Sequence, residues 1–279
     1  MRRLCLLLAC VLLLHLVVHA QESPPQYEVY AIRYAEIPDF PVAGLVAGAD
    51  RSRKMDIAMV VWLVRAPGHN ILVDSGFYRD QFFKSWKVRD FVKPSEAIAK
   101  LGLKPEDITD LIITHMHWDH ADGMDLFPKA KIWIQKDEYT YYTGEAWHSP
   151  KTHGGIDPDD VMAIVKLNLA GRVAFVDGDA QQILPGIRCF TGGKHTFASQ
   201  YVAVNTVAGT IVLASDNMYL YENLDTHKPI AQTLDAASNL AAQDRMKTIA
   251  GDPRLIVPGH DPAIFTRFPK PGDGVAKIQ

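Results

Sequence analysis

The chain has 279 residues, 48% of them apolar and 22% charged, with a formal net charge of −3. That balance suits a packed core in one large domain or two small ones and excludes the collagenous, coiled-coil and disordered classes. The mild acidity argues against nucleic acid as a partner.

In chain order, residues 1–20 come first. Arg2 and Arg3 precede an apolar run from Leu4 to Val18, and Val18-His19-Ala20 resembles a small-residue cleavage site, the pattern of a secretory signal peptide. The run is short for a membrane span. Residues 21–279 are therefore expected as a single domain, periplasmic or secreted, with no stable membrane association after cleavage. Loss of Arg2 and Arg3 would move the formal charge from −3 to −5. Cys5 and Cys10 leave with the segment, so Cys189 remains alone and no internal disulfide can form. Within Gly186-Ile187-Arg188-Cys189-Phe190 it reads as a small buried hydrophobe.

Residues 27–34 alternate in size and polarity and predict an opening strand. Residues 37–49 carry Pro38, Pro41, Gly44 and Gly48 and read as a loop, placed to lie over a pocket or to connect strands. Residues 58–65 and 70–73 are β-branched runs joined by Ala66-Pro67-Gly68-His69, a hairpin signature. The second ends in Asp74-Ser75-Gly76, where Asp74 either backs a histidine or caps the turn. Residues 94–101 have helical spacing stopped by Gly102, and residues 108–114 return to strand.

Immediately after the apolar Leu111-Ile112-Ile113 comes Thr114-His115-Met116-His117-Trp118-Asp119-His120. Three imidazoles and a carboxylate within six residues at a strand end form a candidate metal site, with nitrogen and oxygen donors that suit zinc and neighbouring divalent ions. Residues 121–127 then read as a short helix and 131–135 as a strand, an α/β order with the cluster at a strand's carboxyl end. Residues 144–158 are an aromatic and polar insert, a candidate pocket wall, in which His148 and His153 are read as non-ligands. Residues 159–169 predict an amphipathic helix. From residue 173 short strands follow, at 173–176, 182–184, 187–191, 201–206 and 210–214, read together as a second sheet. A long helix is expected over 230–250, a short strand over 255–257 and an irregular tail over 269–279.

Three further ligand-type residues each follow a predicted strand: His195, Asp216 and His260. The seven donors are enough for two divalent ions. His115, His117 and His195 are assigned to one, Asp119, His120 and His260 to the other, with Asp216 bridging.

The spaced set His115-x-His117-x-Asp119-His120, His195, Asp216 and His260 resembles the metallo-β-lactamase superfamily over essentially the whole chain after residue 20. The resemblance implies an α/β fold, the four-layer αβ/βα sandwich, and supports Asp74 behind a ligating histidine. Within the superfamily the chain is similar to the N-acyl homoserine lactonases, because Tyr219 follows Asp216 by three residues as their substrate-contacting tyrosine follows their bridging aspartate. That implies two divalent ions, zinc in the first instance, and hydrolysis of a small-molecule acyl lactone by a metal-bridging hydroxide, with Asp119, Asp216 and Tyr219 as catalytic residues. A homodimer is left open. Hydrolysis of other esters, organophosphates or β-lactams is the competing reading. Two departures from the pattern, Asp122 in place of a glycine and Gly192-Gly193-Lys194-His195-Thr196 at the third histidine, bear on the contour of the pocket.

Overall fold

Residues 25–279 are described in a computed structural model. The segment read as a signal peptide lies outside them. Six strands come from the first part of the chain: β1 (Glu28–Pro41), β2 (Lys54–Ala66), β3 (His69–Val73), β4 (Asp110–Ile112), β5 (Lys131–Gln135) and β6 (Val173–Val176). Six more follow: β7 (Gln181–Leu184), β8 (Ile187–Thr191), β9 (Gln200–Thr206), β10 (Gly209–Ser215), β11 (Ile256–Pro258) and β12 (Val275–Lys277). They form a seven-stranded sheet ordered β12-β1-β2-β3-β4-β5-β6 and a five-stranded sheet ordered β11-β10-β9-β8-β7. Helices α1 (Asp80–Ser85), α2 (Pro94–Ala97), α3 (Trp118–Ala121), α4 (Lys136–Tyr142) and α5 (Pro158–Leu169) lie between strands of the first part. In the second part are α6 (Tyr221–Thr226), α7 (Ala236–Ala250) and α8 (Ile264–Arg267).

The apolar strands read as near-continuous runs because both of their faces are covered. In β2, Met59, Val61 and Leu63 enter the core under the helices, whereas Val60, Trp62 and Val64 enter the core between the sheets. In β10, Ile211 and Leu213 face the first sheet while Val212 and Ala214 pack with Ala242 and Met246 of α7. Helix, sheet, sheet and helix therefore stack in the expected four-layer α/β order. Cys189 is fully buried between the sheets, and burial pushes its thiol pKa up.

Several elements differ from the sequence reading. β1 continues through residues 37–41, expected as loop, paired to β2 across a register shift between Ile37 and Phe40. Its prolines are tolerated because β12 pairs only with residues 30–32, so that end of β1 is an edge. Residues 173–176, assigned to the second sheet, pair in parallel with β5 in the first, since α5 makes the crossover that returns the chain beside β5. Residues 121–127 split into α3 and a short 3-10 turn at Met124–Leu126. α7 begins at Ala236 rather than residue 230, because Asp235 caps it by accepting from the Ser238 N–H at 3.0 Å. The tail expected as irregular contains β12, whose Ala276 and Val275 are buried against β1.

Candidate metal centre

The predicted ligand residues converge from four strand ends. β4 leads into His115–His120, the turn after β8 carries His195, β10 runs into Asp216, and β11 delivers His260. Three residues beside these turns adopt positive φ without being glycine: Asp74 (62°), Lys194 (48°) and Ser215 (47°). Such conformations cost about 1–3 kcal/mol each and mark positions that the surrounding structure over-determines.

The donors fall into two groups. In the first, His117 Nδ1 lies 3.1 Å from His115 Nε2 and 2.8 Å from His195 Nε2, and Asp216 Oδ2 lies 3.7 Å and 3.2 Å from the same two nitrogens. In the second, Asp119 Oδ2 lies 3.5 Å from His120 Nε2 and 3.7 Å from His260 Nε2. Asp216 Oδ1 completes it, 3.3 Å from His120 Nε2 and 3.0 Å from His260 Nε2. One carboxylate thus presents one oxygen to each group.

Every histidine holds its proton on the far side of the ring. His120 Nδ1 is 2.8 Å from Asp74 Oδ2, His195 Nδ1 is 2.8 Å from the Gln232 carbonyl, and His260 Nδ1 is 3.0 Å from the Ala58 carbonyl. His117 reverses the pattern, with Nε2 3.2 Å from the Gly154 carbonyl and Nδ1 turned inward. Thr114 Oγ1 donates to Asp74 Oδ2 at 2.9 Å and so accepts from His115 Nδ1 at 3.0 Å. In its neutral form each ring is left with an inward lone pair, and partners of this kind fix tautomer and ring orientation at metal sites. At His120 and His260 burial is outweighed by the neighbouring carboxylates, Asp216 foremost, and the pKa is raised. Burial, followed by the neighbouring imidazoles, drives the pKa of His115 well below its ordinary value and that of His117 down to about 3. Both are neutral, ligand-competent rings at neutral pH.

These tautomers bring bare lone pairs within 3.1 Å of one another in the first group. In the second, His120 Nε2 and Asp216 Oδ1 are buried with no hydrogen-bond partner. Lone pairs facing one another, and buried polar atoms without a partner, are unfavourable unless a cation lies between them. The donor chemistry of both groups fits divalent metal.

A pocket of about 250 Å³ opens over the centre, with His117, Asp119, Asp216, Tyr219 and His260 on its floor and Ile37, Phe40, Ile57, Met59, Trp86 and Trp118 along its apolar wall. Residues 37–41, read as loop, are therefore pocket wall supplied by the overhanging end of β1. The insert contributes Gly154 and Gly155, as expected; a Cβ on Gly155 would lie 2.7 Å from His117 Cδ2. His148 and His153 are in neither ligand group among the described residues. Tyr219 is buried, its OH 3.3 Å from His195 Nδ1, and burial and then Asp216 and Asp119 raise its pKa well above 10, so the hydroxyl stays protonated. His195 Nδ1 already donates to Gln232, which leaves the Tyr219 proton free for a ligand.

Sequence reasoning missed Glu138. It is fully buried on α4 and accepts from the Met116 N–H (3.0 Å), Thr196 Oγ1 (2.7 Å) and the Ala198 N–H (2.7 Å), joining the His115 and His195 loops from behind. Its only sequence signal is an acid in a helix facing the core. Missed too were Ser215, 3.1 Å from Asp74 Oδ2, and Trp86, in an irregular stretch with no motif.

A family model described as the metallo-beta-lactamase superfamily matches residues 59–260. An N-acyl homoserine lactonase of a Bacillus species is 26% identical over 222 residues, covering 74% of this chain and 82% of its own. A solved quorum-quenching N-acyl homoserine lactone lactonase superposes with a TM-score of 0.69 at 19% identity, over 86% of this chain and 93% of its own. The dizinc quorum-quenching lactonase AidC, solved with the product N-hexanoyl-L-homoserine, gives a TM-score of 0.66 at 16% identity over 86% and 89%. The two superpositions concern the fold.

Proposed function

The chain belongs to the metallo-β-lactamase superfamily, and from that premise we propose that it opens the lactone ring of N-acyl homoserine lactones at a two-metal centre, with zinc as the ion and export as its setting. The observation that carries the reading is Asp216, which presents Oδ2 to one donor group and Oδ1 to the other beneath an apolar-walled pocket ending at Tyr219. The lactonase relative and the dizinc structural neighbour support it.

Two divalent ions, when bound, supply a water acidified from 15.7 towards about 7 and a Lewis acid for the ester carbonyl. The residues do the rest. His115, His117, His195 and Asp216 would hold the first ion, and Asp119, His120, His260 and Asp216 the second. The phenol of Tyr219 donates to the substrate's carbonyl or ring oxygen, stabilising charge as it develops there. Asp119 commits Oδ2 to its group, which leaves Oδ1 to accept the proton given up by the attacking water and hand that same proton to the leaving oxygen; both Asp216 oxygens are committed. The wall of Ile37, Phe40, Trp86 and Trp118 excludes water and takes the acyl chain, at roughly 0.8 kcal/mol per buried methylene.

Purified protein assayed on acyl homoserine lactones of several lengths, a phosphotriester and a cephalosporin decides the matter. The expected result is lactone turnover at least about a hundredfold above the others, close to 3 kcal/mol of selectivity, and abolished by chelator. Lactone hydrolysis undiminished in an Asp216→Ala, His117→Ala protein would sink the mechanism.

A further inference from the structure

Asp122, the departure from the superfamily's glycine, leads to Arg79, which the proposed reaction does not use. Arg79 precedes α1, and its guanidinium is engaged on every side. Nε pairs with Asp122 Oδ1 and Nη2 with Asp160 Oδ1, while Nη1 lies 3.1 Å from Asp157 Oδ1 and 3.0 Å from Asp159 Oδ2. Asp122 and Asp160 are buried. Asp122 also uses Oδ2 to accept from the Tyr78 N–H at 2.6 Å and the Arg79 N–H at 3.0 Å. Asp157 caps α5 through the Asp159 N–H at 2.9 Å and receives Gln81 Nε2 at 2.6 Å. A surplus of carboxylates would ordinarily suggest a cation site, but here the arginine fills it.

Three segments meet at this guanidinium, and each carries part of the pocket. Asp122 directly follows α3, which bears Trp118, Asp119 and His120. α1 bears Phe82, stacked 4.5 Å from Trp118, and ends at Trp86, stacked 5.7 Å from Trp118 and 6.0 Å from Phe40. Asp157 lies just beyond Gly154 and Gly155, which pack on His117. α1 is a single short helix of 6 residues, too short to hold its place by its own hydrogen bonds. Only arginine offers a planar fork of five donors able to serve several carboxylates at once.

We infer that Arg79 is a positioning residue for the apolar pocket wall: by clamping α1 and the 154–157 segment onto α3 it fixes Trp86, Trp118 and Gly155, and so sets how tightly an apolar substituent is held. The identity of that substituent rests on the proposed lactonase reading; the clamp does not.

The test uses the full, metal-loaded chain with Arg79→Lys and Asp157→Asn, the latter retaining a helix cap. In Arg79→Lys, KM for a decanoyl homoserine lactone rises about tenfold, equivalent to ~1.4 kcal/mol, while KM for the butanoyl substrate, kcat and metal content stay within about twofold, inside the spread of uncoupled sites. Amide exchange over residues 80–87 accelerates by about tenfold, as local opening becomes easier, with residues 200–206 of β9 unchanged. Asp157→Asn shifts the same quantities in the same direction by less, and it decides the issue if Arg79→Lys does not fold. Unchanged exchange at 80–87, or equal KM changes on both substrates, overturns the clamp. A wild-type protein that opens no lactone would refute the proposed function, and the exchange comparison would still judge Arg79.

Discussion

Replacing Asp74 by asparagine probes the centre from behind. Asp74 is fully buried, and its two oxygens face four donors: the Thr114 N–H at 2.8 Å, Thr114 Oγ1 at 2.9 Å, Ser215 Oγ at 3.1 Å and His120 Nδ1 at 2.8 Å. Asparagine matches the shape and accepts the positive φ that Asp74 adopts, so the backbone is undisturbed. Its amide, however, offers one oxygen and one NH₂. With the oxygen towards His120, the NH₂ meets the Thr114 N–H, donor against donor. Flipped, the NH₂ meets His120 Nδ1 and drives the ring proton onto Nε2, the atom aimed at the second donor group. Either way a buried donor loses its acceptor, at a cost of ~1–3 kcal/mol. Loss of the partner behind a ligating histidine costs about 10–100-fold in metal affinity or activity. Urea unfolding measures the first effect, and competition for metal against a chromophoric chelator measures the second. Wild-type stability together with metal affinity within about twofold of wild type would refute the reasoning.

Three other substitutions follow from the geometry. His260→Ala removes a donor from the second group only, so elemental analysis should find that group's ion lost and the first retained, with turnover reduced by roughly a thousandfold through several kcal/mol of lost charge stabilisation. Tyr219→Phe should lower kcat by about a hundredfold with metal content unchanged; an unaltered kcat removes Tyr219 from the reaction. Gly155→Ala places a methyl 2.7 Å from His117 Cδ2 at a φ of +79°, costing ~1–2 kcal/mol in backbone conformation alone, and should weaken metal binding by displacing His117; calorimetric metal titration would detect it.

The convergence of the first donor cluster was legible because its members are close in sequence, and that of the three later donors because each follows a predicted strand. The inward Nδ1 of His117 and the inward Nε2 of His195 and His260 were not legible, since they depend on the carbonyls of Gly154, Gln232 and Ala58, and a carbonyl has no residue type to read. From its own residues Asp74 stood between a cap and a histidine partner; the family resemblance favoured the partner, and the 2.8 Å contact with His120 agrees with it. Residues 37–41 were misread because proline forbids an interior strand and not an edge, and edge status is set by the partner strand β12, more than 200 positions away. The strand at 173–176 was placed in the wrong sheet for a related reason: four residues carry no mark of which neighbour they pair with, and only the crossover through α5 decides it.

That same pairing of β12 with β1 bears on how the polypeptide is made. Residues 30–32 leave the ribosome more than 240 positions before the outer neighbours they pair with, residues 275–277, emerge. Until then one margin of the larger sheet is bare, and contacts of such long sequence separation slow folding and lengthen the time spent exposed to aggregation. The donor groups follow the same schedule: His115 to His120 emerge first, and His195, Asp216 and His260 come later. A growing chain therefore carries an incomplete donor set until His260 emerges, shortly before residues 275–277 give the sheet its outer strand.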